Sequence, residues 1–213
     1  MDKVSKVINQ AKAKMKTVSK LFVAIALFAS VSSCKDKDKD KDVTEEATST
    51  YELVKEKKTF ADAAADAAAK GGYLVEIGSQ SEQEAVYKRI TEGASANYTT
   101  VSDGGGVAYV WIGATDKAQE GKWLWTGSGT NFWNGNNSGS AANNSFVNWG
   151  GKSRGSFNEP DNFGTGQNAA AIGLANWPSG ASAQNALGVA GEWNDISETN
   201  LLYYVIEIEI KKE

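Results

Sequence analysis

The sequence contains no histidine and a single cysteine among its 213 residues. Without histidine, the chain cannot build a Ser-His-Asp or Cys-His nucleophile or a catalytic zinc site of the usual His-containing kind. One cysteine cannot close an intramolecular disulfide. Lys and Arg number 22 against 26 Asp and Glu, a net charge of −4, so no broad cationic field attracts nucleic-acid phosphates. We therefore expect no nucleic-acid partner.

An apolar run near the amino terminus predicts an export signal. Six lysines precede the uncharged apolar residues 21–29, which lead into Val-Ser-Ser-Cys at 31–34. A basic segment followed by a short apolar one is typical of a signal peptide, and a membrane-spanning helix would need about 20 apolar residues. Residues 31–34 resemble the lipobox of bacterial lipoproteins, which ends in a lipidated cysteine. We therefore predict a lipoprotein signal peptide over residues 1–33 and lipidation of Cys34.

The segment after this cysteine predicts a flexible tether. Residues 35–42 alternate Lys with Asp, and no apolar periodicity appears before residue 50, which is typical of a solvated spacer. Lysine and acidic residues directly after a lipidated cysteine also resemble the surface-export signals of some Gram-negative lipoproteins. We therefore predict a tether over 34–50 and a location in the bacterial cell envelope, lipid-anchored in the outer membrane. The leaflet, and translation from Met1 or Met15, stay open.

Residues 51–213 are enough for one domain, and their pattern predicts an α+β fold. Capping signals at Thr59 and Ser79 predict helices up to about Lys70 and Ile90. Short apolar runs predict strands at 73–77, 107–112, 122–126, 169–174 and 201–210. Residues 127–168 and 175–192 are rich in Gly, Asn and Ser, which predicts long loops, and loops of this length are usually functional.

Several landmarks in register across this domain are similar to those of the C-type lectin-like domain. They are Thr-Phe-Ala-Asp-Ala at 59–63, Gly-Gly-Tyr-Leu-Val-Glu-Ile at 71–77, Trp-Ile-Gly at 111–113, Gly-x-Trp-x-Trp at 121–125, Asn-Trp at 148–149, Glu-Pro-Asp at 159–161, Trp-Asn-Asp at 193–195 and Tyr-Val-Ile-Glu at 204–207. The resemblance implies two helices, an antiparallel sheet whose strands include both ends of the domain, and a long loop region that carries the ligand site.

The chain departs from this family at its usual cysteine positions, which hold Ala67, Ile206, Ala169 and Glu198. Packing must therefore supply the roughly 2–4 kcal/mol that each disulfide typically contributes. Tryptophan buries a large area per residue. We predict that four tryptophans lie in the core and do not stack on a sugar: Trp111, Trp123, Trp125 and Trp149.

The resemblance also implies a calcium site made of oxygen ligands. Glu159 and Asp161 flank Pro160, whose peptide bond is commonly cis in the family, and Asn194 and Asp195 arrive from a later strand. Ca²⁺ takes 6 to 8 oxygens from carboxylates, amide carbonyls and water, so this set suits it. Gln167 stands where the family often has another acid, which removes one formal charge. The alternative is that these polar residues only form turns.

The same residues carry the predicted carbohydrate site. In sugar-binding members of the family, two adjacent sugar hydroxyls bind the calcium ion and the side chains equivalent to Glu159, Asp161 and Asn194. Glu-Pro-Asp is a hybrid of the mannose-type and galactose-type motifs, so the sugar stays open. Phe163 lies where galactose-type members place an aromatic ring that stacks on the sugar. It is equally compatible with a loop anchor tucked under the turn at 164–166.

We therefore predict calcium-dependent binding of a glycan or glycoprotein by a lipid-anchored module. The alternative is a metal-independent adhesin or protein-binding module on the same loops. A third hypothesis is a glycosidase that uses Glu159 with Asp195. The available acids are better explained as ion ligands, so we expect no enzymatic activity.

Overall fold

The computed structural model describes residues 48–93, 97–164 and 166–210. The predicted signal peptide at 1–33, the predicted lipidation site at Cys34 and most of the predicted tether lie outside these residues. The first strand begins at Thr48, so residues 48–50 of the predicted 34–50 tether belong to the sheet. Within the described ranges, no helix is both long and apolar enough to cross a membrane.

The described chain contains two α-helices and ten strands, with short 3-10 turns at Ala142–Asn144 and Lys152–Arg154. The helices are α1 (Phe60–Ala69) and α2 (Gln80–Glu92). The strands are β1 (Thr48–Lys58), β2 (Tyr73–Leu74), β3 (Thr100–Val101), β4 (Val107–Thr115), β5 (Lys122–Trp125), β6 (Asn131–Asn134), β7 (Ser140–Ala141), β8 (Ala169–Gly173), β9 (Trp193–Ile196) and β10 (Leu202–Ile210). The predicted α+β class is confirmed.

Both helices begin at the predicted capping residues. The Thr59 side chain accepts a hydrogen bond from Asp62 N, and the Ser79 side chain accepts one from Glu82 N, each at 3.2 Å. A side-chain oxygen at this position satisfies one of the amides that the first helical turn leaves free. The turn after α1 needs glycine because a Cβ atom on Gly72 would lie 2.2 Å from the Glu207 carbonyl oxygen.

The strands form a sheet in the order β1-β10-β4-β5-β6-β7, with β8 beside β4 and β9 beside β8. We expected an antiparallel sheet, and the β10–β4 pair corrects this because it is parallel. A parallel pair needs a long crossover connection, and the chain from the end of β4 to the start of β10 supplies one. The two ends of the domain meet where β1 pairs antiparallel with β10.

Five strands have no counterpart among the predicted strand ranges, namely β1, β3, β6, β7 and β9, although the resemblance implied a strand at Asn194 and Asp195. β6 and β7 lie inside the predicted loop at 127–168. They have four and two residues, which is too short to show an alternation of apolar and polar side chains. β1 is rich in charge, with Glu and Lys at five of its last seven positions. A strand at the edge of a sheet keeps one long side free of strand partners, and charged side chains protect it from pairing with other chains.

Tryptophan dominates the core, as predicted. Trp111, Trp123, Trp125 and Trp149 are at most 5% exposed, and the other three tryptophans are at most 1% exposed. Trp193 makes edge-on contacts with Trp125 and Trp149, each with ring centroids 5.7 Å apart. Such aromatic pairs contribute about 0.5–1.5 kcal/mol beyond the area they bury. These contacts join β5 to β9 and to the long loop without a cross-link.

The four positions where the family has cysteines hold ordinary packing or surface residues. Ala67 and Ile206 are fully buried in one apolar cluster. Ala169 is fully buried on β8, and the Glu198 carboxylate accepts a hydrogen bond from Lys117 Nζ at 2.5 Å. At Ala67 and Ile206, apolar packing therefore stands in place of a disulfide.

Candidate metal and ligand site

Three acidic side chains from distant parts of the sequence meet at one end of β9. Glu159 and Asp161 come from the long loop, and Asp195 comes from β9. One carboxylate oxygen of each lies within 4.8 Å of the others. Glu159 and Asp161, together with Gln167 and Asn194, line a cavity with a volume of about 160 Å³. The structure thus brings together the five residues that the sequence analysis proposed as ligands.

Asp195 ties the strand to the loop. Its carboxylate is fully buried and accepts hydrogen bonds from the backbone amides of Asp161, at 3.0 Å, and Asn162, at 2.8 Å. The peptide bond before Pro160 is cis, as the resemblance implied. Burial raises the pKa of Asp195 above its ordinary value, while the two backbone amides oppose that shift. The hydrogen bonds therefore hold the loop carboxylates beside the Asp195 carboxylate.

Glu159 is the most poorly satisfied carboxylate of the site. It is 2% exposed, and its Oε1 accepts a 2.9 Å hydrogen bond from Trp177 Nε1. Its Oε2 is buried without a partner. Burial raises the pKa of Glu159, and the neighbouring Asp195 raises it further. A buried carboxylate oxygen without a donor is costly, and no lysine or arginine is among the described residues that line the cavity.

Gln167 adds a second unpaired oxygen to this cavity. Its side-chain nitrogen donates to the Asp103 carbonyl at 2.8 Å, whereas its Oε1 is buried without a hydrogen-bond partner. The fixed nitrogen leaves the oxygen as the free end of the amide. Buried acceptors are normally paired, so two unpaired oxygens in one acidic cavity fit a cation, which would accept both as ligands.

Asn194 contributes an amide whose nitrogen is already occupied. Its Nδ2 donates a 2.9 Å hydrogen bond to the Tyr109 hydroxyl, and the residue is 3% exposed at the cavity wall. The amide oxygen is the remaining polar atom of this side chain. Asn194 therefore offers the cavity an acceptor, as the resemblance requires of a calcium ligand.

Phe163 lies at the rim of the cavity. Its side chain is 70% exposed, so the alternative of an anchor tucked under the turn at 164–166 is wrong. The Asp161 carboxylate accepts a 3.0 Å hydrogen bond from Phe163 N, which fixes the backbone beneath the ring. Leu187, on the second long loop, also lines the cavity and is 43% exposed. Two exposed apolar side chains thus border an acidic cavity.

Sequence reasoning missed several residues of the site, including Tyr109, Trp177 and Leu187. No local pattern marks them, because tertiary packing alone brings Trp177 and Leu187 to the cavity wall and the Tyr109 hydroxyl to the Asn194 side chain. A weak signal was the Gly-Gly-Gly run at 104–106, which is not a phosphate-binding loop. A Cβ atom on Gly105 would lie 3.1 Å from Pro178 Cα and from Trp177 Cβ. The glycine therefore lets this loop approach the Trp177 segment.

The donor set fits a hard divalent cation. Three carboxylates, the Asn194 amide and the Gln167 oxygen supply only oxygen, which suits Ca²⁺ and excludes metals that prefer nitrogen or sulfur ligands. Ca²⁺ also tolerates irregular arrangements of 6 to 8 ligands. The acidic cluster can therefore hold a metal ion, with further positions left for water or a ligand.

Comparisons with known proteins bear on the fold. No family model matches the chain. Halomucin of Haloquadratum walsbyi (strain DSM 16790 / HBSQ001) is 34% identical over 107 residues, covering 46% of this chain. The chain spans about 1% of the length of halomucin, so the similarity concerns a small part of that protein.

Solved structures share the architecture over most of the chain. Human lithostathine matches with a TM-score of 0.51 and 17% identity, covering 84% of this chain and all of that chain. The carbohydrate-recognition domain of the mouse scavenger receptor C-type lectin matches with a TM-score of 0.48 and 23% identity, covering 78% and 91%. Two capped helices, paired domain ends and long loops beside β9 complete the agreement. The chain has the C-type lectin-like fold.

Proposed function

We propose that this domain binds carbohydrate in a calcium-dependent manner through the cavity beside β9. The observation that carries the proposal is the pair of unpaired buried oxygens, Glu159 Oε2 and Gln167 Oε1, on residues that line one cavity. Glu159 also belongs to the cluster of three carboxylates. Such an arrangement is unfavourable in the absence of a cation. The names of the mouse scavenger receptor lectin domain and similar structures support carbohydrate as the ligand class.

The exposure of each residue indicates whether it would bind the ion or also contact the sugar. Glu159, Gln167, Asn194 and Asp195 are buried and would hold the ion, while Asp161 is exposed and can also reach a ligand. Bound Ca²⁺ would supply coordination positions for two adjacent sugar hydroxyls. The Glu159, Asp161 and Asn194 side-chain oxygens would accept hydrogen bonds from those hydroxyls. The exposed Phe163 ring offers an apolar surface to one face of a sugar.

The geometry favours binding over hydrolysis. A retaining glycosidase needs a carboxylate that attacks the sugar and a second that donates a proton. The Asp195 carboxylate is fully buried, and each of its oxygens accepts a backbone N–H. It therefore presents no exposed oxygen to a substrate. We propose that the protein is not an enzyme, and turnover of a glycan that Glu159→Gln abolishes would overturn this.

Calcium titration of the purified protein by isothermal calorimetry tests the proposal directly. We expect saturable uptake by the wild type and its loss in Glu159→Gln, which keeps the size of the side chain. Glu120→Gln, at an exposed position outside the cavity, is the matched control. Binding to a glycan array in Ca²⁺ and in EDTA then tests the ligand. Equal binding in both buffers would favour the metal-independent adhesin or protein-binding module.

We also propose that lipid at Cys34 anchors the domain to the bacterial cell envelope, in the outer membrane. The support is the sequence at 21–34 and the charged tether that follows it. Metabolic labelling of the full chain with a fatty acid should mark the wild type and leave Cys34→Ser unlabelled. Protease treatment of intact cells would distinguish an outward-facing domain, which is cleaved, from a periplasmic one, which is protected.

A further inference from the structure

We propose that Tyr109 is a positioning residue that fixes the orientation of the Asn194 amide, so that its oxygen faces the cavity. This inference rests on the proposed cation site. Tyr109 is fully buried on β4, a strand that carries none of the five proposed ligands. Its hydroxyl lies between the Gly104 carbonyl and the Asn194 side chain, at 2.7 Å and 2.9 Å.

The hydrogen bonds of the Tyr109 hydroxyl leave only one orientation for the amide. A phenolic O–H carries a single hydrogen, and the Gly104 carbonyl, which can only accept, takes it. The Tyr109 oxygen must then accept from its second neighbour. Asn194 therefore turns its NH₂ group toward Tyr109, and its carbonyl oxygen takes the opposite side of the amide.

The reversed amide would harm the site in two ways. The Asn194 oxygen would then face the Tyr109 oxygen, and it would compete with the Gly104 carbonyl for the single hydroxyl hydrogen of Tyr109. If the hydroxyl donated to Asn194, the Gly104 carbonyl would lose its donor. Its NH₂ group would also place a donor in the cavity beside Glu159 and Gln167, where a cation requires oxygen. Tyr109 therefore selects the orientation that can ligate.

Close packing around Gly104 keeps the Tyr109 hydroxyl in place beside the Gly104 carbonyl. A Cβ atom on Gly104 would lie 2.7 Å from the Tyr109 ring and 2.9 Å from the Ile196 side chain, so the ring rests directly on the glycine backbone. The Trp177 ring packs edge-on against Tyr109 with centroids 5.8 Å apart. The hydroxyl thus cannot move away from the carbonyl without displacing buried rings.

The first test is calcium titration of Tyr109→Phe, which removes the hydroxyl and keeps the ring. Groups that orient metal ligands typically change metal affinity about 10- to 100-fold, so we expect the dissociation constant for Ca²⁺ to rise at least about 10-fold. Tyr98→Phe is the matched control, because its hydroxyl donates to the Ile90 carbonyl at 2.8 Å and contacts no proposed ligand. We expect no change in that variant.

Repeating the Tyr109→Phe substitution in an Asn194→Asp variant separates an effect on amide orientation from an effect on packing. In Asn194→Asp, both side-chain oxygens are equivalent, so no orientation needs to be selected. We expect Tyr109→Phe to change calcium affinity less than about twofold in this background. An equal loss in both backgrounds would overturn the inference, since Tyr109 would then act through packing alone.

Nuclear magnetic resonance on the wild type tests the geometry without any variant. We expect cross-relaxation between the Asn194 side-chain NH₂ protons and the ring protons of Tyr109. Its absence would overturn the inference. Unchanged calcium affinity in Tyr109→Phe would do the same while leaving the proposed function intact, whereas a wild type that takes up no calcium would remove both.

Discussion

The Trp193 indole donates a 2.7 Å hydrogen bond to Oε1 of Gln83, both of them buried. The Gln83 side-chain nitrogen in turn donates to the Gly191 carbonyl at 2.9 Å. One glutamine on α2 thus holds both the start of β9 and the turn before it. Because β9 carries two proposed ligands, this contact links the helix to the site.

Gln83→Leu is expected to destabilise the domain. It leaves the buried Trp193 indole N–H without a partner, which costs about 1–3 kcal/mol, whereas the Gly191 carbonyl keeps a 2.9 Å hydrogen bond from Asn148 Nδ2. For a domain of this size, each kcal/mol lowers the melting temperature by about 2–4 °C. Differential scanning calorimetry measures the shift. Gln80→Leu, on the exposed face of the same helix, should leave the melting temperature nearly unchanged, and equal shifts would contradict the assignment.

Glu192 joins the two long loops to each other. Its buried carboxylate accepts hydrogen bonds from three backbone amides, those of Gly151 at 3.0 Å, Ser153 at 2.7 Å and Val189 at 3.0 Å. It thereby joins two loop segments that are 36 or more positions apart in the sequence. Amides bound to an ionised acceptor make stronger hydrogen bonds than neutral pairs do.

Glu192→Gln should therefore loosen both loop segments. The substitution removes the charge and turns one acceptor into an N–H₂ donor that faces backbone amides, at a cost of about 1.5–3 kcal/mol. Hydrogen exchange measured by mass spectrometry should accelerate at Gly151, Ser153 and Val189. Exchange in α1 should stay unchanged below the temperature of unfolding. Uniform acceleration across the domain would show that Glu192 acts on global stability alone.

Burial gives the calcium-free domain a distinct pH dependence. The pKa of Glu159 is raised in the folded state by burial and by Asp195, above its value of about 4.3 in the unfolded chain. The protonated form is therefore favoured by folding. Its stabilisation is fully present below about pH 4.3 and is lost as the pH rises toward the folded pKa, by about 1.4 kcal/mol for each unit that separates the two.

The melting temperature in EGTA should accordingly fall more between pH 5 and pH 8 for the wild type than for Glu159→Gln. The variant lacks this titration and keeps the Asp195 carboxylate. Saturating Ca²⁺ should reverse the loss at pH 8 in the wild type, because a ligand that binds only the folded state at 100 times its dissociation constant adds about 2.7 kcal/mol. Parallel pH profiles for the two proteins would contradict the raised pKa.

The sequence predicted those elements that depend on interactions between neighbouring residues. The caps at Thr59 and Ser79 and the apolar run of β8 each act within a few neighbouring residues. No local pattern marked the range of β1, because its pairing with β10 joins opposite ends of the domain, and only the family resemblance implied that both ends lie in one sheet. Tyr109 and Leu187 escaped for a similar reason, since only the folded chain brings the Tyr109 hydroxyl to Asn194 and Leu187 to the cavity.

Family resemblance supplied the candidate ligands, and the structure adds how each one is held. Glu159 through Asp161 and Asn194 through Asp195 stand out in the sequence as motifs. The groups that hold the ligands do not stand out, because only contacts between loops bring the Trp177 indole to Glu159 and the Asp103 carbonyl to Gln167. The unpaired oxygen on Gln167 is likewise a property of the packed cavity and not of its sequence neighbourhood.

Substitution of the exposed Phe163 distinguishes sugar binding from ion binding. Its hydrogen bond to the Asp161 carboxylate comes from the backbone amide, which Phe163→Ala keeps, so this variant should leave calcium affinity unchanged. Loss of ring stacking should weaken binding of a glycan identified on the array by about 1 kcal/mol, or roughly fivefold. Leu201→Ala is the matched control, since Leu201 is 52% exposed and lies outside the cavity. Calorimetric titration of each variant with calcium and then with glycan measures both effects, and equal glycan affinity in all three proteins would remove Phe163 from the ligand site.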